Sequence, residues 1–147
     1  MLEAAQPDRG QARYDGIDTL PHGSEIILLV EDEPALRAMA ARILRESGYA
    51  VMEASNGDEA LRLAIDAGGR MQLLVTDVIM PLMDGRALAE QLTSIYPEIK
   101  TLFMSGYASE TISPLGEARR PEWFLQKPFT YAALARKVRE VMDYRAS

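Results

Sequence analysis

The sequence contains no cysteine and only one histidine, His22, among its 147 residues. A chain without thiols has no disulfide framework and no thiolate metal site, and a single histidine cannot build a multi-histidine metal centre. Any metal bound by this protein must therefore be held by oxygen atoms. The 22 aspartate and glutamate residues supply these in abundance.

Clustered positive charge and long apolar runs are also missing. The 16 lysines and arginines are scattered among the 22 acids, for a net charge of -6, whereas nucleic-acid binding needs cations gathered on one face. No apolar run approaches the roughly 20 residues of a membrane-spanning helix. Residues 1–10 also lack the apolar centre of a signal peptide. These absences predict a cytoplasmic location without contact to nucleic acid or membrane.

The length and the apolar content of 48% predict one domain that buries its own core. Residues 1–24 contain prolines and glycines among charges and show no helical or alternating periodicity, which predicts a flexible tail or linker. We therefore expect the folded domain at 25–147.

From Glu25 onward, short apolar runs alternate with segments of helical period, which is typical of repeated βα units in a parallel sheet. This pattern predicts five strands and five helices. Pro114 and Gly116 interrupt the fourth helical segment, so that helix is expected to be short or irregular. The strands are expected at 26–30, 50–54, 73–76, 99–104 and 122–126.

The remaining helices have recognisable starts and apolar faces. Pro34 suits the first turn of the first helix, and Asn56 and Glu59 have the spacing of a capping box at the start of the second. Apolar residues at helical spacing predict the core-facing sides of the second and third helices. Those residues are Leu61, Ile65, Leu88, Leu92 and Ile95.

Charged residues follow three of the predicted strands. Glu31 and Asp32 end the first, Asp77 ends the third, and Lys127 ends the fifth. Because the carboxyl ends of parallel strands share one crevice, where ligands bind, these side chains are expected to meet. Three neighbouring carboxylates repel one another unless some are protonated or a cation neutralises them. An accessible all-oxygen site suits Mg²⁺, with Mn²⁺ as a possible substitute.

A metal among these acids would allow phosphoryl chemistry. Asp77 is placed to act as a nucleophile and form an aspartyl-phosphate. Lys127 would neutralise a second phosphoryl oxygen, and Ser105, at the end of the fourth strand, would donate to the third. Gly106 would let the backbone approach the group closely. Asp32 alone is equally well explained as a first-turn acid favoured by the helix dipole, but the meeting of all these residues at one sheet edge favours a site.

Four short motifs occupy the predicted strand ends, and in order and spacing they match one family across residues 25–145. They are LLVEDE at 28–33, TDVIMPLMDG at 76–85, MSGY at 104–107 and QKPF at 126–129. With these motifs the chain resembles the response-regulator receiver domains of two-component phosphorelays. The resemblance implies a flavodoxin-like, doubly wound, five-stranded parallel sheet of order 2-1-3-4-5.

The resemblance also implies roles for individual residues. It makes Asp77 the phosphoacceptor and Glu31 and Asp32 the acid pair at the metal, with the backbone carbonyl of Ile79 as a further ligand. The first acid is a departure, since Asp is commoner there. Ile79 and Tyr107 add bulk beside the site, which would slow a hydrolytic water.

A conformational switch is implied by the same resemblance. Ser105 and Lys127 match the hydroxyl and the lysine that contact the phosphoryl group, and the Lys127–Pro128 bond matches a peptide bond that is usually cis. Phe124 matches the aromatic switch position, where tyrosine is common. Phosphorylation would draw Ser105 toward the phosphoryl oxygens and let Phe124 repack. Without a hydroxyl, Phe124 reports only by packing.

The predicted function is a signalling domain that receives a phosphoryl group from the phosphohistidine of a histidine kinase or a histidine phosphotransfer domain. It would not be an enzyme in the usual sense, although it would catalyse its own phosphorylation and dephosphorylation at Asp77. Two other functions stay open: a Mg²⁺-dependent phosphohydrolase with an Asp nucleophile, and a receiver-like binding module that is never phosphorylated. Enzymes resembling the haloacid-dehalogenase family place a second Asp where this chain has Ile79.

The sequence does not identify the kinase, the downstream partner or the oligomeric state. Both a single-domain regulator and the C-terminal receiver of a hybrid histidine kinase fit the motifs.

Overall fold

The computed structural model describes residues 22–106 and 123–145. A five-stranded parallel sheet lies at its centre, in the spatial order β2-β1-β3-β4-β5. This confirms the flavodoxin-like topology, and each strand lies within one residue of its predicted bounds. In chain order the strands are β1 (Ile26–Val30), β2 (Ala50–Ala54), β3 (Leu73–Asp77), β4 (Lys100–Ser105) and β5 (Trp123–Gln126).

The described residues form four helices, each following a strand: α1 (Pro34–Glu46), α2 (Gly57–Asp66), α3 (Gly85–Ile95) and α4 (Tyr131–Asp143). None of these four is long and apolar enough to cross a bilayer. The helix expected between β4 and β5, with Pro114, lies outside the described residues.

Local sequence signals explain where the helices begin. Pro34 is the first residue of α1. Asn56, Asp84 and Thr130 each accept a hydrogen bond from a backbone amide in the first turn of the helix that follows. The carboxylate of Glu59 reaches back as expected, but it accepts from the amide and hydroxyl of Ser55, at 2.8 and 2.9 Å.

Both faces of the sheet are buried. Successive residues of a strand point to opposite faces, and here each face is covered by a pair of helices. On one face, residues of the central strands pack with α1 and α4; the cluster includes Ile27, Leu29, Leu73, Val75, Leu44, Leu134 and Val138. On the other face they pack with α2 and α3; that cluster includes Leu28, Val30, Leu74, Ala60, Leu88 and Leu92.

Two of the predicted core residues are exposed, so those predictions are wrong. Ile65 and Ile95 both lie in the last turn of a helix and remain open to solvent. In α2 the buried face consists of small residues, including Ala60 and Ala64, and Ile65 lies about 100° round the helix from Ala64. In α3 the buried face includes Ala89 and does not include Ile95. Small side chains let each helix lie close to the sheet on a face that hydrophobicity alone does not single out.

Both ends of the described chain lie at the amino edge of the sheet. Arg139, near the end of α4, donates to the backbone carbonyl of His22 at 3.2 Å and binds both carboxylate oxygens of Glu25, at 3.2 and 2.9 Å. The ammonium of Lys100, at the start of β4, donates to the carbonyl of Tyr144 at 2.7 Å and to two carbonyls in the last turn of α4. The carboxyl edge, where the site residues lie, is therefore the opposite edge.

The loop between β3 and α3 contains a strained residue. Leu82 has a φ of 74°, in the left-handed region that costs a β-carbon-bearing residue about 1 to 2 kcal/mol. Its side chain is 92% exposed, so packing within the described fold does not offset that cost.

We expect Leu82→Asn to raise the free energy of unfolding by about 0.5 to 1 kcal/mol, because asparagine tolerates this conformation. The measurement is urea unfolding followed by circular dichroism. Leu82→Ala is the control: it removes the same exposed side chain, but alanine lacks the polar group that lets asparagine tolerate this conformation, so it should change the stability by less than about 0.5 kcal/mol. Equal gains in the two variants would show that backbone strain is not the cause.

Candidate functional site

The alignment of the strands brings the predicted site together. In the parallel register β1 pairs with β3, β3 with β4 and β4 with β5, and their last residues lie at one edge. Five of the predicted site residues end or follow these strands: Glu31, Asp32, Asp77, Ser105 and Lys127.

Three carboxylates meet at this edge. Glu31, Asp32 and Asp77 each offer an oxygen, and these oxygens lie within 4.8 Å of one another. Glu31 is only 1% exposed and Asp77 8%, whereas Asp32 is exposed. The cluster thus has a buried floor and an open side. Its hard oxygen donors match a hard divalent cation, so these residues could hold a metal.

Lys127 binds two of the three acids. Its ammonium lies 3.1 Å from Oδ2 of Asp77 and 3.2 Å from Oε1 of Glu31. Its backbone amide also donates to the carbonyl of Ser105 at 2.8 Å, which fixes the start of the loop after β5 against the end of β4. The peptide bond between Lys127 and Pro128 is cis, as the resemblance implied.

Burial dominates the ionisation of both buried acids. It raises the pKa of Asp77, aided by the nearby charge of Asp32 and opposed by Lys127. Burial likewise raises the pKa of Glu31, with the charge of Asp77 adding to the effect and the amide of Glu33 and Lys127 opposing it. For Lys127, burial would lower the pKa, but the bonds and charges of Asp77 and Glu31 outweigh it and raise the pKa.

The position of Glu31 depends on contacts that the sequence did not indicate. Its Oε2 accepts from the backbone amide of Glu33 at 3.1 Å, and its backbone carbonyl accepts from Nη1 of Arg37 at 2.8 Å. Arg37 also approaches Glu53 at 3.6 Å. The longer side chain of Glu31 is thus bent back toward the start of α1. One available signal was a cation in the first turn of α1, shortly after the acid pair.

Two hydrogen bonds hold the backbone at Asp77 and at the residue after it. The hydroxyl of Thr76 donates to the carbonyl of Asp77 at 3.0 Å, and Gly85 donates its amide to the carbonyl of Val78 at 2.7 Å. A β-carbon at Gly85 would collide with the carbonyl oxygen of Asp77. Glycine is therefore required where α3 begins, because the helix starts directly against the strand end that carries the carboxylate.

Three predicted site residues, Ser105, Gly106 and Ile79, lie at or shortly after the ends of β4 and β3. Ser105 is buried, and Gly106 after it is exposed. A β-carbon at Gly106 would meet open space, so the packing of the described residues does not itself demand glycine there. The side chain of Ile79, two residues after Asp77, is 60% exposed.

Phe124, the predicted switch residue, stacks on Phe103 with the ring centroids 5.4 Å apart and the planes at 27°. The guanidinium of Arg86 lies over both rings, 5.2 Å from the Phe103 centroid and 5.5 Å from that of Phe124. The role of Arg86 was not found from the sequence. The available signal was a cation in the first turn of α3, where the helix dipole favours acids.

Comparison with known proteins agrees with this geometry. A family model described as response regulator receiver domain matches residues 27–139. The sensor kinase CckA of Brucella abortus is 42% identical over 121 residues, which cover 82% of this chain and 13% of that protein. The response regulator receiver protein CpdR of the same organism is 34% identical over 116 residues, covering 79% of this chain and 95% of CpdR.

A solved structure extends the comparison to three dimensions. The crystal structure of the receiver domain from the hybrid histidine kinase CckA superposes with a TM-score of 0.68 at 38% identity, covering 80% of this chain and 99% of that domain. This chain is thus similar both to a small part of a long sensor kinase and to nearly all of a short receiver protein.

The raised pKa of Asp77 predicts that its negative charge destabilises the fold. A carboxyl whose pKa is higher in the folded state costs stability as the pH rises past its unfolded pKa, and the full cost applies above the folded pKa. We therefore expect Asp77→Asn, measured without divalent cations at pH 7, to raise the free energy of unfolding by about 1 kcal/mol. The gain should disappear as the pH falls below about 4.

Asp66→Asn is the matched control, since Asp66 is an exposed aspartate at the end of α2. It should change stability by no more than about 0.5 kcal/mol. Urea titrations at several pH values provide the measurement. A loss of stability in Asp77→Asn at pH 7 would mean that Lys127 more than offsets the cost of burial.

Proposed function

Since the chain belongs to the response regulator receiver domain family, we propose that Asp77 is the phosphoacceptor of this signalling domain. The observation that carries the proposal is the position of the Lys127 ammonium, 3.1 Å from Asp77 and 3.2 Å from Glu31. A nucleophilic carboxylate therefore lies beside a fixed positive charge. Receiver domains act in signalling, and phosphoryl transfer to Asp77 would be the step that sets the signal.

The donor set supports Mg²⁺ as the cofactor, with Mn²⁺ as a substitute. Three carboxylate oxygens lie within 4.8 Å of one another, and Mg²⁺ takes oxygen ligands while keeping several waters. Glu31, Asp32 and Asp77 would hold the ion, together with the backbone carbonyl of Ile79. When bound, it would supply positive charge that neutralises the acids and the phosphoryl oxygens.

The transfer itself requires an ionised Asp77. One carboxylate oxygen attacks the phosphorus of a phosphohistidine in a histidine kinase or a histidine phosphotransfer domain. An oxygen–phosphorus bond forms and the nitrogen–phosphorus bond breaks. The bonding electron pair returns to the imidazole nitrogen, which takes up a proton. The contact with Lys127 opposes the rise in the pKa of Asp77 that burial causes, and so favours the ionised nucleophile.

The neighbouring residues would bind the transferred group. Lys127 would keep its position and exchange its contact with Asp77 for one phosphoryl oxygen. Ser105 would donate its hydroxyl to another. No atom of the other described residues would lie near a β-carbon at Gly106, which supports close approach of the phosphoryl group to the backbone there.

Phosphoryl loss would follow by attack of water on the aspartyl-phosphate, so the domain would limit its own signal. Ile79 would restrict that water, since its exposed side chain lies two residues after Asp77. The same residue argues against a phosphohydrolase, because isoleucine cannot protonate a leaving group. The presence of both Asp77 and Lys127, in contact at 3.1 Å, argues against a binding module that is never phosphorylated.

Further parts of the assignment rest on the sequence. We propose a folded unit at 25–147 preceded by a tail or linker at 1–24, in a cytoplasmic setting. Neither nucleic acid nor membrane is proposed as a partner.

The test is phosphorylation by acetyl phosphate with Mg²⁺, followed by intact mass spectrometry. The wild-type protein should gain the mass of one phosphoryl group, and Asp77→Asn should gain none. Lys127→Met should slow the reaction by about 100-fold, because a preorganised charge that stabilises the transferred group is lost.

Asp84→Asn is the control within the same loop. Asp84 caps α3 by accepting from the amide of Ala87 at 2.8 Å, and asparagine can make the same bond. This variant should react at close to the wild-type rate. Phosphorylation of Asp77→Asn at the wild-type rate would contradict the proposal.

A further inference from the structure

Arg86 occupies an electrostatically unfavourable position. It is the second residue of α3, where the helix dipole favours negative charge, and the first turn of this helix contains no acid. The dipole disfavours a cation at this end of a helix, although the capping carboxylate of Asp84 lies two residues before it. The described structure contains a compensating interaction that the proposed chemistry does not use.

That interaction is with two aromatic rings. The guanidinium carbon of Arg86 lies 5.2 Å from the centroid of Phe103 and 5.5 Å from that of Phe124, within the range of cation–π attraction. Phe103 is buried in β4, and Phe124 is half-buried in β5. Because one cation contacts both rings, it favours the orientation of Phe124 in which the rings are stacked.

Arg86 is also connected to the acid cluster through its neighbour. Gly85 begins α3 directly against the carbonyl of Asp77, and its amide donates to the carbonyl of Val78 at 2.7 Å. Any shift of the strand end that carries Asp77 would therefore move the start of α3, and with it the guanidinium above Phe124.

We propose that Arg86 is a positioning residue for Phe124, holding this ring on Phe103 and thereby opposing the conformational change that follows phosphorylation. The inference rests on the proposed function, because it assigns to Arg86 control over the switch that Asp77 starts. Phe124 has no hydroxyl with which to form a hydrogen bond, so its orientation depends on ring contacts of this kind.

Thermodynamic linkage between the arrangement of the rings and phosphoryl binding predicts the effect of removing Arg86. If Arg86 stabilises the stacked arrangement and phosphorylation favours another, removal of Arg86 lowers the cost of the change. Ligands that mimic the phosphoryl group should then bind more tightly. A cation–π contact at a partly exposed site corresponds to an increase in affinity of about 2- to 5-fold.

The experiment compares the wild type with Arg86→Met and Arg86→Lys. Each protein is titrated with beryllofluoride, a phosphoryl analogue, in the presence of Mg²⁺. The side-chain rotamer of Phe124 is followed by NMR with labelled phenylalanine. Arg86→Met should bind beryllofluoride about 2- to 5-fold more tightly and show an averaged Phe124 rotamer without it. Arg86→Lys should restore values near the wild type.

Two controls separate this role from general stability. Lys137→Met removes a cation 5.7 Å from the ring of Trp123, the neighbour of Phe124, and should leave the affinity unchanged. In a Phe124→Leu background, Arg86→Met should no longer change the affinity, because the contact it controls is already absent. Thermal unfolding shows whether each variant is folded, and if Arg86→Met is not, Arg86→Gln takes its place, since it also removes the cation and carries the same expected increase in affinity.

The outcomes separate a failure of the proposed function from a failure of the role proposed for Arg86. If the wild type fails to bind beryllofluoride with Mg²⁺, the proposed function fails. If it binds but Arg86→Met has the same affinity and the same Phe124 rotamer, the role of Arg86 is overturned. An equal effect of Arg86→Met with and without Phe124 would also overturn it, because the residue would then act elsewhere.

Discussion

The repulsion among Glu31, Asp32 and Asp77 is the constraint on which the rest of the site depends. Two of these acids are almost fully buried, where charge is costly, and among the described residues Lys127 is the cation that bridges both of them. The bridge joins residues at the carboxyl ends of β1, β3 and β5, so it also ties the end of the last strand across this edge of the sheet. A ligand that enters must compete with or replace these contacts. The contacts of Lys127 with Glu31 and Asp77 therefore fix the site before a ligand binds, and ligand binding has to rearrange them.

Much of this arrangement is predictable because of parallel topology. Apolar runs buried on both faces mark the strands, and a parallel sheet brings their carboxyl ends to one edge, so Asp77 and Lys127 were expected to meet although 50 residues separate them. Ile65 and Ile95 were misjudged because alanines, which carry a weak hydrophobic signal, decide which helix face lies closest to the sheet. The contacts of Arg37 and Arg86 depend on side-chain directions and tertiary neighbours, which periodicity does not encode.

The loop after Asp77 connects the chemistry to two helices. Gly85 places the start of α3 against the strand end, and Met83 packs so closely over Gly57 that a β-carbon there would crowd its sulfur. The start of α2 and the start of α3 thus contact the same short loop. In the switch we propose, a change at the carboxylate reaches the aromatic pair of Phe103 and Phe124 through the backbone of Gly85 and the side chain of Arg86.

The anchoring of both described ends at the amino edge has a practical consequence. His22 is held by Arg139, and Tyr144 by Lys100, at the opposite edge of the sheet from the carboxylates, and a five-residue strand such as β1 spans roughly 15 Å. A surface tether, fluorophore or fused domain joined before His22 or after Tyr144 would therefore start from the far side of the sheet. A domain tethered at His22 or at Tyr144 can thus be used for binding measurements while its carboxyl edge faces the solution.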